Sequence, residues 1–259
     1  MSEIFTQDLV KWLDENLKPH LYQDYAPNGL QVQGKSLIKK VILGVTASQA
    51  LLEKAIEHRA DAVIVHHGWF WKNEDVRIVG TKYQRLALAI RHEINVIGYH
   101  LPLDAHPEWG NNAQLAKVLD LQPFYDEQGL PQTCGKGGLV WTGSVASGEL
   151  TLTELGVLIS QRLEREPLLI GDKNKKIKKV AWCTGGAQGW FQDAIEAGAD
   201  AYITGEASEQ VFHLAQETGA AFISAGHHAT ERYGIQALGN ALIDRFGIEA
   251  LFVDIPNPV

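Results

Sequence analysis

Short apolar runs and apolar residues at helical spacing alternate along the first part of the chain. The runs, rich in valine and isoleucine, predict buried strands at 41–45, 61–65 and 96–99. The helically spaced residues predict helices at 6–18, 48–58 and 81–93. Strands that alternate with helices in this way indicate an α/β fold, with a largely parallel sheet and helices packed against it.

Local signals predict where two of the helices begin. Thr6 precedes the first apolar position of the opening helix, and we expect its side chain to cap that helix. Thr151 and Glu154 have the spacing of a capping box in front of another apolar, helically spaced segment. Both signals place a hydrogen-bonding side chain where the first backbone N–H groups of a helix need an acceptor.

Residues 123–150 interrupt the apolar periodicity, because Pro123, Pro131 and several glycines fall there. The interruption predicts a junction between an N-terminal α/β half, residues 1–127, and a C-terminal α/β half, residues 128–259. A chain of 259 residues is long enough for one large core or for two smaller ones. The junction favours two.

An internal repeat relates the two predicted halves. Val41 begins one unit, and Val180 begins the other 139 positions later. After the same interval, each unit has an Ala-Asp-Ala tripeptide, at 60–62 and at 199–201, followed by a short β run. We interpret the pattern as a duplicated β-α-β-α-β unit, so the halves are expected to be pseudo-equivalent.

Four histidines directly follow predicted strands, and two carboxylates lie four positions after a histidine. The histidines are His66, His67, His100 and His227, and the carboxylates are Asp104 and Glu231. Ligands of open α/β sheets bind at the carboxyl ends of the strands. We therefore expect the six side chains to meet in a cleft between the halves.

Each of these residues also has an ordinary structural explanation. His66 and His67 are adjacent on a strand, so they are expected to point to opposite faces and to ligate different ions unless the chain bends. Pro102 predicts that Asp104 lies in a loop, where a carboxylate can simply be solvated. Glu231 is expected near the first turn of a helix, where the helix dipole stabilises a carboxylate without any metal.

The whole set is better explained by metal binding. Imidazole and carboxylate ligands without thiolates suit Zn²⁺, Fe²⁺, Mn²⁺, Co²⁺ or Ni²⁺, and they argue against a structural zinc site. The set is too large for one catalytic ion that keeps an open position, and it suits two ions about 3.5–4 Å apart. Two such ions can lower the pKa of a bound water toward about 7, so the predicted chemistry is hydrolysis.

Composition and charge narrow the possible partners and the cellular location. The net charge of −8 argues against nucleic acid as a partner, and the one basic run, the lysines between 173 and 179, is expected to be a solvated turn. No apolar run reaches the roughly 18 residues of a membrane span, and the first residues lack a signal-peptide pattern. Two cysteines, Cys134 and Cys183, cannot form a disulfide framework. We therefore predict a cytoplasmic protein without a membrane segment.

Five short motifs resemble those of one known family. They are Val65-His66-His67-Gly68, Tyr99-His100-Leu101-Pro102-Leu103-Asp104, Thr184-Gly185-Gly186-Ala187, Ile203-Thr204-Gly205-Glu206 and Gly226-His227-His228-Ala229-Thr230-Glu231. With them the chain resembles the Nif-three-like family of dinuclear-metal proteins, also labelled GTP cyclohydrolase I type 2 homologues. The resemblance extends over almost the whole chain and is closest to the short bacterial members.

The resemblance implies a toroidal homohexamer whose metal pairs face an internal cavity. It implies five ligands directly, with Glu231 as the bridging carboxylate and His100 nearby: His66, His67, Asp104, His227 and Glu231. The function it favours is a metal-dependent hydrolase that acts on a ring-bearing or phosphate-bearing small molecule. The alternative is a non-catalytic metal carrier or sensor, or a toroidal assembly platform.

Other residues near the motifs have less specific signals. Glu206 aligns with His67 in the repeat and is a candidate for moving protons, although a carboxylate at a helix start is as good an explanation. The Gly185-Gly186 loop is either a tight strand-to-helix connection or a phosphate-binding turn. The segment Trp69–Trp71 is either core packing or a surface that stacks on a planar ring.

Overall fold

The computed structural model describes residues 2–259 and is a mixed α/β structure. The α-helices are α1 Thr6–Leu17, α2 Gln49–Glu57, α3 Gly80–Arg91, α4 Leu101–Ala105, α5 Asn111–Val118, α6 Leu152–Leu163, α7 Phe191–Glu196, α8 Glu209–Thr218 and α9 His227–Phe246. The strands of the first half are β1 Ile4–Phe5, β2 Gly29–Val32, β3 Leu37–Ile38, β4 Lys40–Thr46, β5 Ala62–His67, β6 Asn95–Gly98 and β7 Leu121–Pro123. The later strands are β8 Thr133–Cys134, β9 Val140–Val145, β10 Leu150–Thr151, β11 Leu168–Ile170, β12 Lys176–Ile177, β13 Lys179–Trp182, β14 Ala201–Thr204, β15 Ala221–Ser224 and β16 Glu249–Phe252.

The chain divides into two compact units. Unit 1 contains the chain up to Trp109 together with Gly234–Pro256, and unit 2 contains Gly110–Tyr233 together with Asn257–Val259. These units differ from the predicted halves 1–127 and 128–259. The difference has a packing reason, since α5 and β7 bury apolar residues in the core of unit 2, whereas the second part of α9 and β16 belong to unit 1.

Unit 1 is built on a sheet with the strand order β16-β4-β5-β6-β2. Its neighbouring strands β16, β4, β5 and β6 are parallel, as the alternation of strands and helices predicts, and β2 pairs antiparallel with β6. Successive residues of the buried strands join two different apolar clusters. Leu43 packs in one cluster with Leu13 of α1 and Leu238 of α9, and Ile42 packs in the other with Leu51 of α2. The sheet is therefore covered on both faces, which explains its continuous apolar strands.

Unit 2 is built on a sheet with the order β11-β15-β14-β13-β9-β7, to which β8 adds by pairing with β9. Strands β13, β14 and β15 are parallel, and the flanking pairs are antiparallel. One core cluster joins this sheet to α5 and α6 through residues such as Leu115, Leu155 and Ile203. The rings of Phe191, Tyr202 and Phe222 contact one another in a separate packed group.

Contacts around the two Ala-Asp-Ala tripeptides match between the units. The Asp61 carboxylate accepts hydrogen bonds from the backbone N–H groups of Lys39 and Lys40. The Asp200 carboxylate accepts them from Lys178 and Lys179, each 139 positions later. In both units the aspartate fixes the start of the first strand of the parallel pair, β4 with β5 and β13 with β14. These contacts support the interpretation of the sequence pattern as a repeat.

Three local predictions can be compared with the structure. The capping box is confirmed, because Thr151 and Glu154 exchange both of its hydrogen bonds at the start of α6. The prediction for Thr6 is wrong, since α1 begins at that residue and its hydroxyl donates to the Lys35 carbonyl instead. The predicted loop around Pro102 is also wrong, because α4 forms there and proline is well tolerated in the first turn of a helix.

The helices of the structure can be compared with the requirements of a membrane span. Over residues 2–259, no helix combines the length and the apolar composition that crossing a membrane requires. The longest helix, α9, carries charged residues along its length, including Glu231, Arg232, Asp244 and Arg245.

Candidate metal-binding groups

Three histidines of unit 1 cluster at the carboxyl ends of two neighbouring parallel strands. His66 and His67 are the last residues of β5, and His100 follows β6. The ring centroid of His66 lies 4.5 Å from that of His67 and 5.1 Å from that of His100. One nitrogen of each ring lies within 4.8 Å of the others. The adjacent histidines thus lie side by side, and the expected opposite-face arrangement is not kept where β5 ends.

His66 is fixed in one tautomer by the backbone. It is fully buried, and its Nδ1 lies 3.1 Å from the carbonyl oxygen of Tyr99. Because a carbonyl oxygen only accepts, Nδ1 carries the proton of the neutral ring and Nε2 carries the lone pair. That Nε2 atom lies 3.4 Å from Oδ1 of Asp104, which is itself buried on α4.

His100 is held by a carboxylate. Its Nδ1 donates to Oδ1 of Asp24 at 2.6 Å, and Asp24 also accepts from the Leu101 backbone and from the Asn28 side chain. Burial alone would raise the pKa of Asp24, but the hydrogen bond and charge of His100 and the bonds from Asn28 and Leu101 outweigh it and lower this pKa to about 2. Asp24 therefore remains a carboxylate and orients His100 with Nε2 directed away from it.

His67 has a similar anchor on the neighbouring strand. Its Nδ1 lies 3.2 Å from the hydroxyl oxygen of Thr46, the residue that pairs with it in the β4–β5 ladder. The hydroxyl can accept a hydrogen bond from Nδ1, and Nε2 then carries the lone pair that could bind a metal ion. Strand register thus determines the orientation of this ring.

The candidate residues of unit 2 lie at the ends of β14 and β15. His227 begins α9, and its Nδ1 donates to Oε1 of Glu206 at 2.7 Å. Its Nε2 lies 3.2 Å from Oε2 of Glu231, one helical turn further on. Burial would lower the pKa of His227, but the hydrogen bonds and charges of Glu231 and Glu206 outweigh burial and raise it to about 9. The histidine therefore lies in a strongly electronegative environment that also favours a cation.

Gly185 provides the space that the Glu231 carboxylate occupies. A Cβ atom on Gly185 would lie 2.2 Å from Oε1 of Glu231 and 3.1 Å from Nε2 of His227. The backbone of Gly185 has a φ of +69°, and its N–H donates to the Thr230 hydroxyl at 3.0 Å. The glycine-rich loop therefore approaches Glu231 and His227 with its backbone, which is the tight-connection interpretation of this motif.

The four histidines share a hydrogen-bonding arrangement that is typical of metal ligands. All four have Nδ1 within hydrogen-bonding distance of a protein acceptor, and each acceptor is different: the Tyr99 carbonyl, the Thr46 hydroxyl, the Asp24 carboxylate and the Glu206 carboxylate. Metal-ligating histidines almost always donate their second ring nitrogen in this way, because it fixes the ring and raises its basicity. With buried carboxylates beside them, the residues present fit divalent metal ions.

The structure brings together the predicted residues within each unit. Unit 1 groups His66, His67, His100 and Asp104, and unit 2 groups His227, Glu231 and Glu206. The backbone N–H of His228 donates to a backbone oxygen of Val259, which gives His228 a structural contact. Glu206, predicted to move protons, contacts His227 directly and orients it.

Sequence reasoning missed Asp24 and Thr46. Asp24 lies 76 positions before His100 in a segment without regular structure, and no repeat or motif marks it. Thr46 directly follows the predicted strand 41–45 and pairs with His67, so it can be found once the parallel register of β4 and β5 is known. The spacing of Asp24 carries no comparable signal.

Comparisons with known proteins agree with the motifs. A family model described as Duf34/NIF3 (NGG1p interacting factor 3) matches residues 5–258. A relative from Neisseria meningitidis serogroup B, named GTP cyclohydrolase 1 type 2 homolog, is 49% identical over 255 residues, which are 98% of this chain and 99% of that protein. Among solved structures, protein ybgI is 46% identical with a TM-score of 0.93, covering 99% of this chain and all of that one, 100%. TTHA1606 from Thermus thermophilus is 33% identical with a TM-score of 0.85, covering 99% and 100% of the two chains. This chain belongs to the Duf34/NIF3 family.

Proposed function

We propose that the protein binds two divalent metal ions per chain and acts as a metal-dependent hydrolase on a ring-bearing or phosphate-bearing small molecule. The observation that carries the proposal is the shared anchoring of four histidines through Nδ1, which leaves Nε2 of each as a ligand. The proposed ligands are His66, His67, His100, Asp104, His227 and Glu231.

The donor set supports catalysis more than structural metal binding. It has no thiolate, and imidazole with carboxylate suits Zn²⁺, Fe²⁺, Mn²⁺, Co²⁺ and Ni²⁺. Ions bound there would supply an activated water and would polarise the bond that water attacks. His66, Asp104 and Glu231 are buried, so little water screens the electrostatic attraction between their side chains and a bound cation.

The protein's own groups have separate tasks in this proposal. Asp24 and Glu206 hold His100 and His227 in orientation through Nδ1. The Glu206 side chain is 37% exposed, so it can also reach a substrate and accept or return a proton. Gly185 leaves room for the Glu231 carboxylate, which we propose as the bridging ligand.

The names of the relatives suggest where to begin the search for a substrate. Several relatives at about half identity are named GTP cyclohydrolase 1 type 2 homolog, so GTP and other purine nucleotides are the first candidates. The homohexamer implied by the resemblance is part of the same proposal. Sedimentation velocity on the metal-loaded protein tests it, because a monomer of 28.6 kDa and a hexamer separate clearly.

The test of the hydrolase is turnover by protein loaded with each candidate metal in turn, against nucleotides, pterins and phosphoesters. We expect saturable turnover that His66→Ala abolishes. His213→Ala is a matched control, because this exposed histidine pairs with Glu209 on the surface of α8. Its turnover should equal that of the unmodified protein.

The result that contradicts the hydrolase is the absence of turnover with every metal and every substrate class. Rapid exchange of bound metal in the same samples would then indicate a metal carrier instead. Turnover that survives His66→Ala would also contradict the proposal, because this residue is fully buried among the proposed ligands.

A further inference from the structure

The aromatic residues that follow the histidine pair have different environments. Trp69 is 8% exposed and belongs to an apolar core cluster, and its indole N–H donates to the Ala47 carbonyl at 2.8 Å. Phe70 packs against the same cluster. These two residues are explained by packing within unit 1.

Trp71 is not explained by packing. Within residues 2–259, none of the apolar core clusters includes it. Its ring instead lies 5.0 Å from that of His100, in an edge-to-face arrangement at 81°, and 5.9 Å from that of His67. Its indole N–H donates to the Gly68 carbonyl at 3.2 Å, which fixes the ring beside the histidines.

Tyr25 approaches the same histidines from another segment. Its side chain is 56% exposed, and its ring lies 6.1 Å from that of His100. Its backbone N–H donates to Asp24, the carboxylate that holds His100. Its carbonyl accepts from the Lys72 N–H at 2.6 Å, so the segment of Tyr25 is tied to that of Trp71.

The segment that carries Trp71 has an uncommon backbone. Phe70 and Asn73 have φ values of 65° and 70°, in the left-handed region. Asparagine adopts this region readily, but a bulky residue such as phenylalanine rarely does. Such outliers persist where surrounding contacts hold them, and they cluster at ligand sites. Here the contacts of Phe70 and Lys72 hold the indole of Trp71 at the histidines.

We infer that Trp71 and Tyr25 form an aromatic wall that stacks on a planar heterocyclic ring of the substrate, beside the metal-binding histidines. The inference rests on the proposed function and narrows its substrate class to molecules with such a ring. Aromatic faces bind planar bases by stacking in a manner that tolerates many ring types. An aliphatic or purely sugar-phosphate substrate would leave this surface unused.

The test compares two phosphate-bearing ligands, one with a planar heterocyclic base and one without. Guanosine 5′-monophosphate and ribose 5-phosphate are titrated calorimetrically into metal-loaded protein, and metal content is measured in the same samples. We expect the nucleotide to bind at least about 10-fold more tightly than the sugar phosphate, as stacking predicts. Trp71→Leu and Tyr25→Ala should each weaken nucleotide binding by about 5-fold or more and leave ribose 5-phosphate binding unchanged.

Two controls separate stacking from general damage. Trp71→Phe keeps a ring and should retain most of the nucleotide affinity. Tyr83→Ala removes a tyrosine of α3 with similar exposure, 51%, and should bind the nucleotide as the unmodified protein does. Equal affinity for the two ligands, or unchanged nucleotide binding by Trp71→Leu and Tyr25→Ala, would overturn the inference. If metal remains bound in those samples, the proposed function stands; protein without metal would overturn the proposed function itself.

Discussion

Replacing Gly185 with alanine tests how closely the glycine-rich loop approaches the proposed bridging carboxylate. The left-handed backbone at φ +69° costs an alanine about 1–2 kcal/mol. The new methyl group would lie 2.2 Å from Oε1 of Glu231, and this side chain is only 2% exposed. Displacing such a buried group costs about 1–3 kcal/mol more.

The expected loss of stability is measurable by calorimetry. A total of about 2–5 kcal/mol, at roughly 2–4 °C per kcal/mol for a chain of this size, lowers the melting midpoint by on the order of 10 °C. The comparison is made on metal-free protein, so that lost metal does not contribute. Gly189→Ala is the matched control, because this exposed glycine lies in the short 3-10 helix Gln188–Trp190 just after the loop, and a Cβ there would meet open space. Its midpoint should change by less than about 2 °C.

The second measurement on the same variants is metal content. Since the alanine methyl occupies the place of the Glu231 carboxylate, Gly185→Ala should bind at least one ion fewer than Gly189→Ala. A Gly185→Ala protein with the midpoint and metal content of the control would refute the reasoning. It would mean that the carboxylate has another position of equal energy.

Three further predictions concern fixed carboxylates and the chain terminus. The pKa of Asp24 is lowered to about 2 from the ordinary 3.8, so its bond to His100 should stabilise the fold above about pH 4 and lose that effect as the pH falls toward 2. In urea titrations, Asp24→Asn should therefore have a lower free energy of unfolding than the unmodified protein, and this difference should shrink over the same pH interval. Asp61→Ala and Asp200→Ala should each lower the free energy of unfolding by about 1.5–3 kcal/mol in denaturant titrations, because each aspartate accepts from two backbone N–H groups. Deleting 257–259 should lower the melting midpoint by a few degrees, about 1–2 kcal/mol, because it removes the Val259 oxygen that accepts from the His228 N–H and the Pro258 carbonyl that accepts from Arg165.

Each of these predictions has an outcome that contradicts it. If the loss of unfolding free energy caused by Asp24→Asn stays constant from pH 6 to pH 2, the charge of Asp24 does not contribute to stability. If Asp200→Ala is neutral while Asp61→Ala is not, the two aspartates are not equivalent and the repeat interpretation is weakened. Unchanged stability after the terminal deletion would show that the bond from His228 to Val259 contributes nothing measurable.

Much of unit 1 could be predicted from the sequence because its signals are local. Continuous apolar runs predicted β4, β5 and β6 to within two residues, and their parallel arrangement followed from the intervening helices. The histidines could be placed because strand ends converge in parallel sheets. The family resemblance rested on the same residues and is confirmed by the match over residues 5–258.

The failures come from tertiary contacts that leave no local signal. Thr6 has the residue type of a cap, but its hydroxyl donates to Lys35, 29 positions away. Pro102 suggested a loop because proline ends helices, yet it also starts them, and spacing alone does not distinguish the cases. The compact units do not follow the predicted junction because α5 packs into unit 2, and its apolar stripe does not indicate which core receives it.

The anchors of the histidines were the least predictable part of the site. A carboxylate such as Asp24 acts on His100 only because the fold brings together residues 76 positions apart. Glu206 was noticed through its alignment in the repeat, but its contact with His227 required the structure. Candidate ligands can therefore be predicted from motifs at strand ends, whereas the groups that orient them cannot.

The most direct test of the central claim is the metal stoichiometry of freshly purified protein, measured by mass spectrometry against quantitative amino-acid analysis. The protein should contain about two divalent ions per chain, and Glu231→Ala should contain at least one fewer, with His213→Ala unchanged. A protein that contains no metal and that binds none on titration with zinc, iron, manganese, cobalt or nickel would contradict the claim.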